Sequence, residues 1–380
     1  MYYQKIQRPK GLQNIGATCY MNAVLQCFYN VKFLTEELKK YQIIPGMVIT
    51  WAYKDVINQL SSSDSNPGVP ILFKNIISAN PLFRGIQAND CKDLILYFLE
   101  NIENELTFKN YICQDQRYIN RIKKISQNNN DCEYDRELRN IITIFDQSHK
   151  SIISDLFYGF KSQLLECTKC HTKLNNYHIF NLLIFPIEAV YNSINPKEDN
   201  KTTYSYNNQF IPSSRVIGSF YNGWSESNSS KTSGKKKVTI ENCFEYDIKD
   251  IDFKEDNKIF CNKCNKLNEA SCKNKIFSSP HVLIIVLNRG KGNQFDCDVE
   301  FDENLNIKKY VEKEDCPRNY KLIGVISHLG ESSMSGHFIA DCRYFDGQWY
   351  CFNDSIVSGP SSRYSKKGTP YILFYQNSEL

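Results

Sequence analysis

The sequence predicts an α+β protein, mostly helical from residue 11 to about 155 and antiparallel β from about 156 onward. Apolar residues recur at helical spacing in two early segments, Cys19–Phe28 and Asp90–Leu106. Short β-branched or aromatic runs, separated by Gly, Asn, Asp and Pro, fill the later part. Over 380 residues, 41% hydrophobic and 13% aromatic content supplies a sizeable core and argues against a mostly disordered chain.

Within Cys19–Phe28 the stripe is Met21, Val24, Leu25 and Phe28, one face of a helix. Ser61–Pro70 (SSSDSNPGVP) is a loop by composition. Asp90–Leu106 repeats the helical stripe through Leu94, Ile95, Phe98, Leu99, Ile102 and Leu106, and Gln127–Asp131 (QNNND) is a polar loop. The expected strands are Phe157–Leu165, Tyr177–Phe185, Val282–Leu287, Tyr320–Ser327, His337–Tyr344, Trp349–Phe352 and Tyr371–Tyr375. Residues 191–237 are rich in Asn, Ser, Thr and Lys, which predicts an exposed, partly disordered insertion.

A net charge of +4, with Lys235-Lys236-Lys237 as the best basic cluster, gives no reason to expect nucleic acid or a membrane surface as partner. No run approaches the ~18 apolar residues of a spanning helix, and MYYQKIQRPK has no signal-peptide character. The expectation is a soluble intracellular protein, cytoplasmic or nuclear and monomeric. Fifteen cysteines, an odd number without an export signal, then point to metal ligation, catalysis or plain burial.

A nucleophilic cysteine needs a base, usually histidine, and the chain has only six: His149, His171, His178, His281, His328 and His337. Cys19 follows Gly16-Ala17-Thr18 and opens a helix, where free N–H groups and the macrodipole favour a thiolate and can face an oxyanion. Asn14, five residues upstream, has the side-chain amide for a second oxyanion donor. Position alone leaves Cys19 open between this role and a small buried hydrophobe starting a core helix.

His337 lies on one side of a turn at Asp346-Gly347, and Trp349–Ser355 on the other, the pattern of a β-hairpin. Pairing across that turn brings His337 within a few positions of Asn353 and Asp354, either of which can orient an imidazole. The alternative is a histidine packed at a strand end beside a turn. Cys167-Thr168-Lys169-Cys170 and Cys261-Asn262-Lys263-Cys264 are two CxxC knuckles, which together suit a Cys₄ zinc site. A redox CxxC is the other reading, and His171 could replace one cysteine. About ninety residues separate the knuckles, so the insertion must loop out between them.

Several motifs resemble the ubiquitin-specific proteases, papain-like cysteine deubiquitinases, over residues 11–375. GLQNIGATCYMNAVLQCF is similar to the family's Cys box, and NYKLIGVISHLGESSMSGHFIADCR with WYCFNDSIVS to its His box. Gln87-Ala88-Asn89-Asp90-Cys91-Lys92-Asp93-Leu94 resembles QxxDxxEL, with Asp93 in place of the usual Glu. FYGFKSQLLECTKC and IFCNKCNKLNEASCK resemble the two halves of the zinc-bearing fingers, and SSPHVLIIVLNRG and TPYILFYQ the strands that follow.

The resemblance implies a papain-like fold with a helical thumb (11–155), zinc-ribbon fingers (156–186 and 238–280) and a β-rich palm (281–375). It implies Cys19 as nucleophile, His337 as base, Asn353 as orienter where many members have Asp, Asp354 as helper, and Asn14 as oxyanion donor. Asp90, Gln87 and Asp93 would contact the substrate tail. One structural zinc would sit on Cys167, Cys170, Cys261 and Cys264, with no cofactor for the chemistry. Ubiquitin and its conjugates would be the partners. A catalytically weak ubiquitin-binding relative and a protease for a ubiquitin-like modifier are the rival readings; a nucleic-acid zinc ribbon is disfavoured, since only Lys169, Lys173, Lys263 and Lys266 flank the knuckles.

Overall fold

The structure, a computed structural model, describes residues 8–62, 67–84, 89–107, 141, 145, 150–196, 236–254, 257–290, 295–314, 316–330 and 336–380. Gln87, the polar loop at 127–131, His149 and most of the expected insertion lie outside the described residues.

The helical part contains α1 (Cys19–Tyr29), α2 (Lys32–Lys40), α3 (Val48–Ser61), α4 (Pro70–Ala79) and α5 (Cys91–Thr107), then the short α6 (Ile152–Phe157). All 11 residues of α1 are buried, beyond the single stripe its periodicity predicts. Its neighbours α2 and α5 cover one side, and the large sheet covers the other. The first turn of α3 lacks a side-chain cap of its own; Glu105 of α5 supplies it, accepting from Ile49 N at 2.9 Å and Thr50 N at 2.7 Å.

Strands follow: β1 (Gly159–Cys167), β2 (Lys173–Phe180) and β3 (Leu183–Pro186), then α7 (Ile187–Ile194), β4 (Lys237–Thr239) and α8 (Ile240–Asp247). Next come β5 (Ile251–Phe253), β6 (Ile259–Cys261), β7 (Lys266–Asn268), β8 (Ala270–Ser278), β9 (Val282–Asn288), β10 (Asp298–Glu300) and β11 (Asn304–Asn306). The chain closes with β12 (Asn319–Leu329), β13 (His337–Arg343), β14 (Trp349–Asn353), β15 (Ile356–Ser361) and β16 (Thr369–Asn377).

Two sheets position the chemistry. A four-stranded sheet runs β2-β1-β8-β5 and carries the first CxxC knuckle at the end of β1. The eight-stranded sheet runs β15-β14-β13-β12-β16-β9-β3, with β11 on β12. The run expected at Tyr177–Phe185 is thus two strands in different sheets: β2 ends at Phe180 and β3 pairs with β9, because Asn181-Leu182 breaks the strand. Phe157 closes α6 instead of opening β1, and residues 191–194, expected in the insertion, finish α7.

The large sheet is buried on both faces, so its strands divide between two cores. On β9, Val282, Ile284 and Val286 join the helical side, while Leu283, Ile285 and Leu287 join a second cluster with α7 and α8. This is why Val282–Leu287 reads as a continuous apolar run and not as an alternation. Among the described residues no helix is long and apolar enough to cross a membrane.

Phe28 is the node joining the helices to the sheet. Its ring centroid lies 5.2 Å from Phe98 of α5, 5.6 Å from Phe157 of α6 and 5.6 Å from Phe374 of β16. Phe28→Ala opens a cavity among three elements at once, and should lower unfolding free energy by about 3–5 kcal/mol in chemical denaturation. A loss below about 1 kcal/mol would show that α1 is not held through this contact.

Candidate active site

The turn before α1 is built around Asn14. Its Oδ1 accepts from Gly16 N at 3.0 Å, Thr18 N at 3.3 Å and Thr18 Oγ1 at 3.2 Å, a closed turn of the kind Asn side chains stabilise. Ala17 takes a left-handed backbone, φ +51°, so the chain doubles back and Cys19 falls in the first helical turn. Cys19 is almost fully buried, and the free N–H groups of that turn surround it.

His337 begins β13, and Asn353 ends β14. The hairpin expected at Asp346-Gly347 is present, with Ala340 opposite Phe352 and Arg343 opposite Trp349. Continuing that register places Asn353 opposite Ile339, two residues from His337, a diagonal reach that a ring and an amide can span. His337 Nε2 lies 2.6 Å from Asn353 Oδ1. Nε2–H therefore donates to the amide oxygen, leaving Nδ1 as the ring's acceptor.

The Cys19 sulfur, as an acceptor for the ring N–H, is the largest influence on this ring and raises the His337 imidazole to about 9. Asn353 and the charge of Asp354 push the same way, and burial opposes them. Sequence reasoning placed Cys19, His337 and Asn353 in one site, and the structure brings these three together.

Asp354 ties the end of β14 to the segment before α1. Its backbone is left-handed, φ +50°, and its carbonyl accepts from Leu12 N at 2.9 Å. Its Oδ2 accepts from Asn14 Nδ2 at 2.9 Å and sits 3.8 Å from His337 Nε2; its Oδ1 accepts from Asn22 Nδ2 at 2.8 Å. Gly11 permits the approach, since a Cβ there would lie 2.2 Å from the Asp354 carbonyl oxygen. Asn14, expected to face an oxyanion, thus spends one amide hydrogen on Asp354 and keeps the other.

Asp90 lies at the start of α5 with its carboxylate held by Tyr371 Oη, at 2.7 and 2.8 Å, and by Lys92 N at 2.8 Å. Burial raises its carboxyl above the usual range, and Lys92 counters it. Asp93 points outward, beside Lys92 Nζ at 3.4 Å, and makes no contact with the groups above. His328 of β12 is buried, edge-on to Phe338, and burial holds its imidazole below the usual value. A Cβ at Gly336 would sit 1.6 Å from His328 Nε2, so only glycine can precede His337 here.

Sequence reasoning missed Asn22 and Tyr371. Asn22, off the apolar stripe of α1, and Tyr371, inside an aromatic strand, gave no signal by periodicity.

At the far end of the four-stranded sheet, the Sγ atoms of Cys167, Cys170, Cys261 and Cys264 all lie within 4.8 Å of one another. Tetrahedral thiolate coordination at 2.3 Å puts sulfurs about 3.8 Å apart, so the four residues fit a metal ion. Thr172 draws the Cys170 thiol down to about 6, and that neighbour pushes the Cys264 thiol up to about 12. A divalent cation relieves this conflict by holding all four thiolates at once. His171 points to Glu166 instead, at 3.2 Å.

The family model described as ubiquitin carboxyl-terminal hydrolase matches residues 10–375. Ubiquitin carboxyl-terminal hydrolase 2 of Bos taurus is 24% identical over 383 residues, covering 96% of this chain and 54% of that protein. Ubiquitin carboxyl-terminal hydrolase 21 of Homo sapiens is 24% identical over 387 residues, covering 96% and 61%. Ubiquitin carboxyl-terminal hydrolase 25 of Arabidopsis thaliana is 25% identical over 386 residues, covering 97% and 47%. The chain spans about half to three fifths of the length of these relatives.

The His337 ring should titrate near 9 in histidine NMR spectra, and Cys19→Ala should bring that value down. Because the folded value is raised, the pairing contributes stability below the ordinary histidine range and loses it as pH climbs through about 9. A titration unchanged in Cys19→Ala would mean that the thiol does not bond to this ring.

Proposed function

This chain belongs to the ubiquitin carboxyl-terminal hydrolase family, and from that premise we propose that it is a deubiquitinating thiol protease acting through Cys19, His337 and Asn353. The observation that carries the reading is the His337 ring, bonded through Nε2 to Asn353 and pushed up by the neighbouring Cys19 sulfur, which opens α1. Its substrates would be ubiquitin and its conjugates, and its partners neither nucleic acid nor membrane. The thirteen described cysteines are all free thiols, which supports work in a reducing compartment, cytoplasm or nucleus.

In the reaction, the Cys19 thiolate attacks the carbonyl carbon of ubiquitin's C-terminal glycine. The oxyanion meets the first-turn N–H groups of α1 and the second amide hydrogen of Asn14, which its other bonds hold in place. His337, as imidazolium, gives its proton to the departing lysine amine while the C–N bond breaks. Water, deprotonated by the same ring, then attacks the thioester, releasing the ubiquitin carboxylate and the free thiol. Asn353 keeps the ring in one tautomer throughout. Asp90, held by Tyr371 just ahead of α5, would contact the basic ubiquitin tail, with Gln87 and Asp93 as further contacts.

The metal on Cys167, Cys170, Cys261 and Cys264 would be one zinc ion, which supplies tetrahedral cross-linking of the two knuckles. Four thiolates leave no open position, so its role is structural. Metal analysis should find one zinc per chain, and Cys261→Ser should lower both zinc content and thermal stability. A zinc-free protein that stayed folded and active would overturn this assignment.

Wild type should cleave a fluorogenic amide of the ubiquitin C-terminus under reducing conditions, losing activity as pH rises past about 9 and the imidazolium is depleted. Cys19→Ala should abolish cleavage and probe labelling but keep ubiquitin binding. His337→Ala should cost about 10³-fold or more in turnover. Cleavage by the Cys19→Ala protein, or turnover only of a ubiquitin-like modifier, would refute the reading.

A further inference from the structure

Asn22 lies one turn beyond Cys19 on α1, 2% exposed, out of reach of any substrate. Its Nδ2 donates to Asp354 Oδ1 at 2.8 Å and to the Leu12 carbonyl at 3.2 Å, while its Oδ1 has no partner among the described residues. A buried amide with an orphaned oxygen is a poor way to fill space, and an apolar residue there would avoid the cost. The group has another use.

Two acceptors compete for His337 Nε2–H, the neutral Asn353 Oδ1 at 2.6 Å and the charged Asp354 Oδ2 at 3.8 Å. A carboxylate makes the stronger bond to a cationic donor, roughly twice the neutral one. The amide wins here only because the carboxylate is held elsewhere, by Asn22 on one oxygen and Asn14 on the other. We propose that Asn22 is a positioning residue for the reaction: by holding Asp354 Oδ1 it keeps that carboxylate on Asn14 and off the His337 ring. The inference rests on the protease reading above for its effect on turnover, but not for its effect on the ring.

Among the described residues, the charged and titratable groups facing His337 are Cys19 from α1, His328 from β12 and Asp354 beyond β14. Of these, Asp354 is the one that Asn22 restrains. Without Asn22 the carboxylate turns onto Nε2, fixes the imidazolium and releases Asn14 from its orientation. Turnover then falls without a matching change in KM, since Asn22 touches no substrate.

The test is a double-mutant cycle of Asn22→Ala with Asp354→Asn, read by histidine NMR titration and by kcat and KM on the fluorogenic ubiquitin substrate. Asn22→Ala alone should raise the His337 titration and the basic limb of the pH profile, by about one unit. It should lower kcat up to about a hundredfold, the cost of a small misplacement. In the Asp354→Asn background the same substitution should leave the titration unmoved and lower kcat by less than about threefold. Asn22→Ser, which keeps a shorter donor, enters the same cycle should the alanine variant fail to fold. An unmoved His337 titration, or equal losses in both backgrounds, would overturn the inference. Failure of the wild type on ubiquitin would instead overturn the protease reading, while the titration still decides this one.

Discussion

A helix with no solvent face is the constraint from which much of this molecule follows. With all 11 residues of α1 buried, every polar side chain on it must find its partner inside the protein. Asn22 and Gln26 do so against an extended segment, Asn22 on the Leu12 carbonyl and Gln26 on the Lys10 carbonyl at 2.9 Å. Four residues of helix rise about 6 Å, and two residues of extended chain span about 6.6 Å. The two spacings match closely enough for side-chain amides to stand where a neighbouring strand would be. The segment so bound is the one that carries Asn14 into the site.

The same arrangement distributes charge. Asp354 is the carboxylate beside the His337 ring among the described residues, and its oxygens are spent on neutral amides. Its field favours the imidazolium without a direct bond, while Asn353 fixes the tautomer and adds no charge of its own. Orientation and electrostatics are therefore carried by adjacent residues, and the left-handed turn at Asp354 lets consecutive side chains face two elements.

The division into helical and β parts was legible because periodicity is a local property, visible in Met21, Val24, Leu25 and Phe28 or in the runs around Asp346-Gly347. Cys19, His337, Asn353 and the four knuckle cysteines were legible because their chemistry needs rare residue types at constrained spacings. The roles of Asn22 and Tyr371 were not, because both act through partners hundreds of positions away, Asp354 and Asp90. The break between β2 and β3 was hidden for a related reason: Tyr177–Phe185 has uniform β texture, and only the competing sheets decide where it divides. The bonds from Asn14 and Asn22 to Asp354 were not legible either, because adjacency to Asn353 says nothing about which way the next side chain turns.

The burial of α1 also has a consequence in time. Its cover comes from α2 and α5, made soon after it, and from β12, β13 and β14, made much later, with Phe374 of β16 against Phe28. A chain emerging from the ribosome must carry Met21, Val24, Phe28 and their amide neighbours without their sheet until residues beyond 320 have appeared. During that interval the helix is an exposed apolar rod with unpaired amides, the kind of surface that holding chaperones bind. The candidate site is thus assembled late, from segments far apart in the sequence. A nascent chain that has not yet reached His337 and Asn353 has no means of acting on anything.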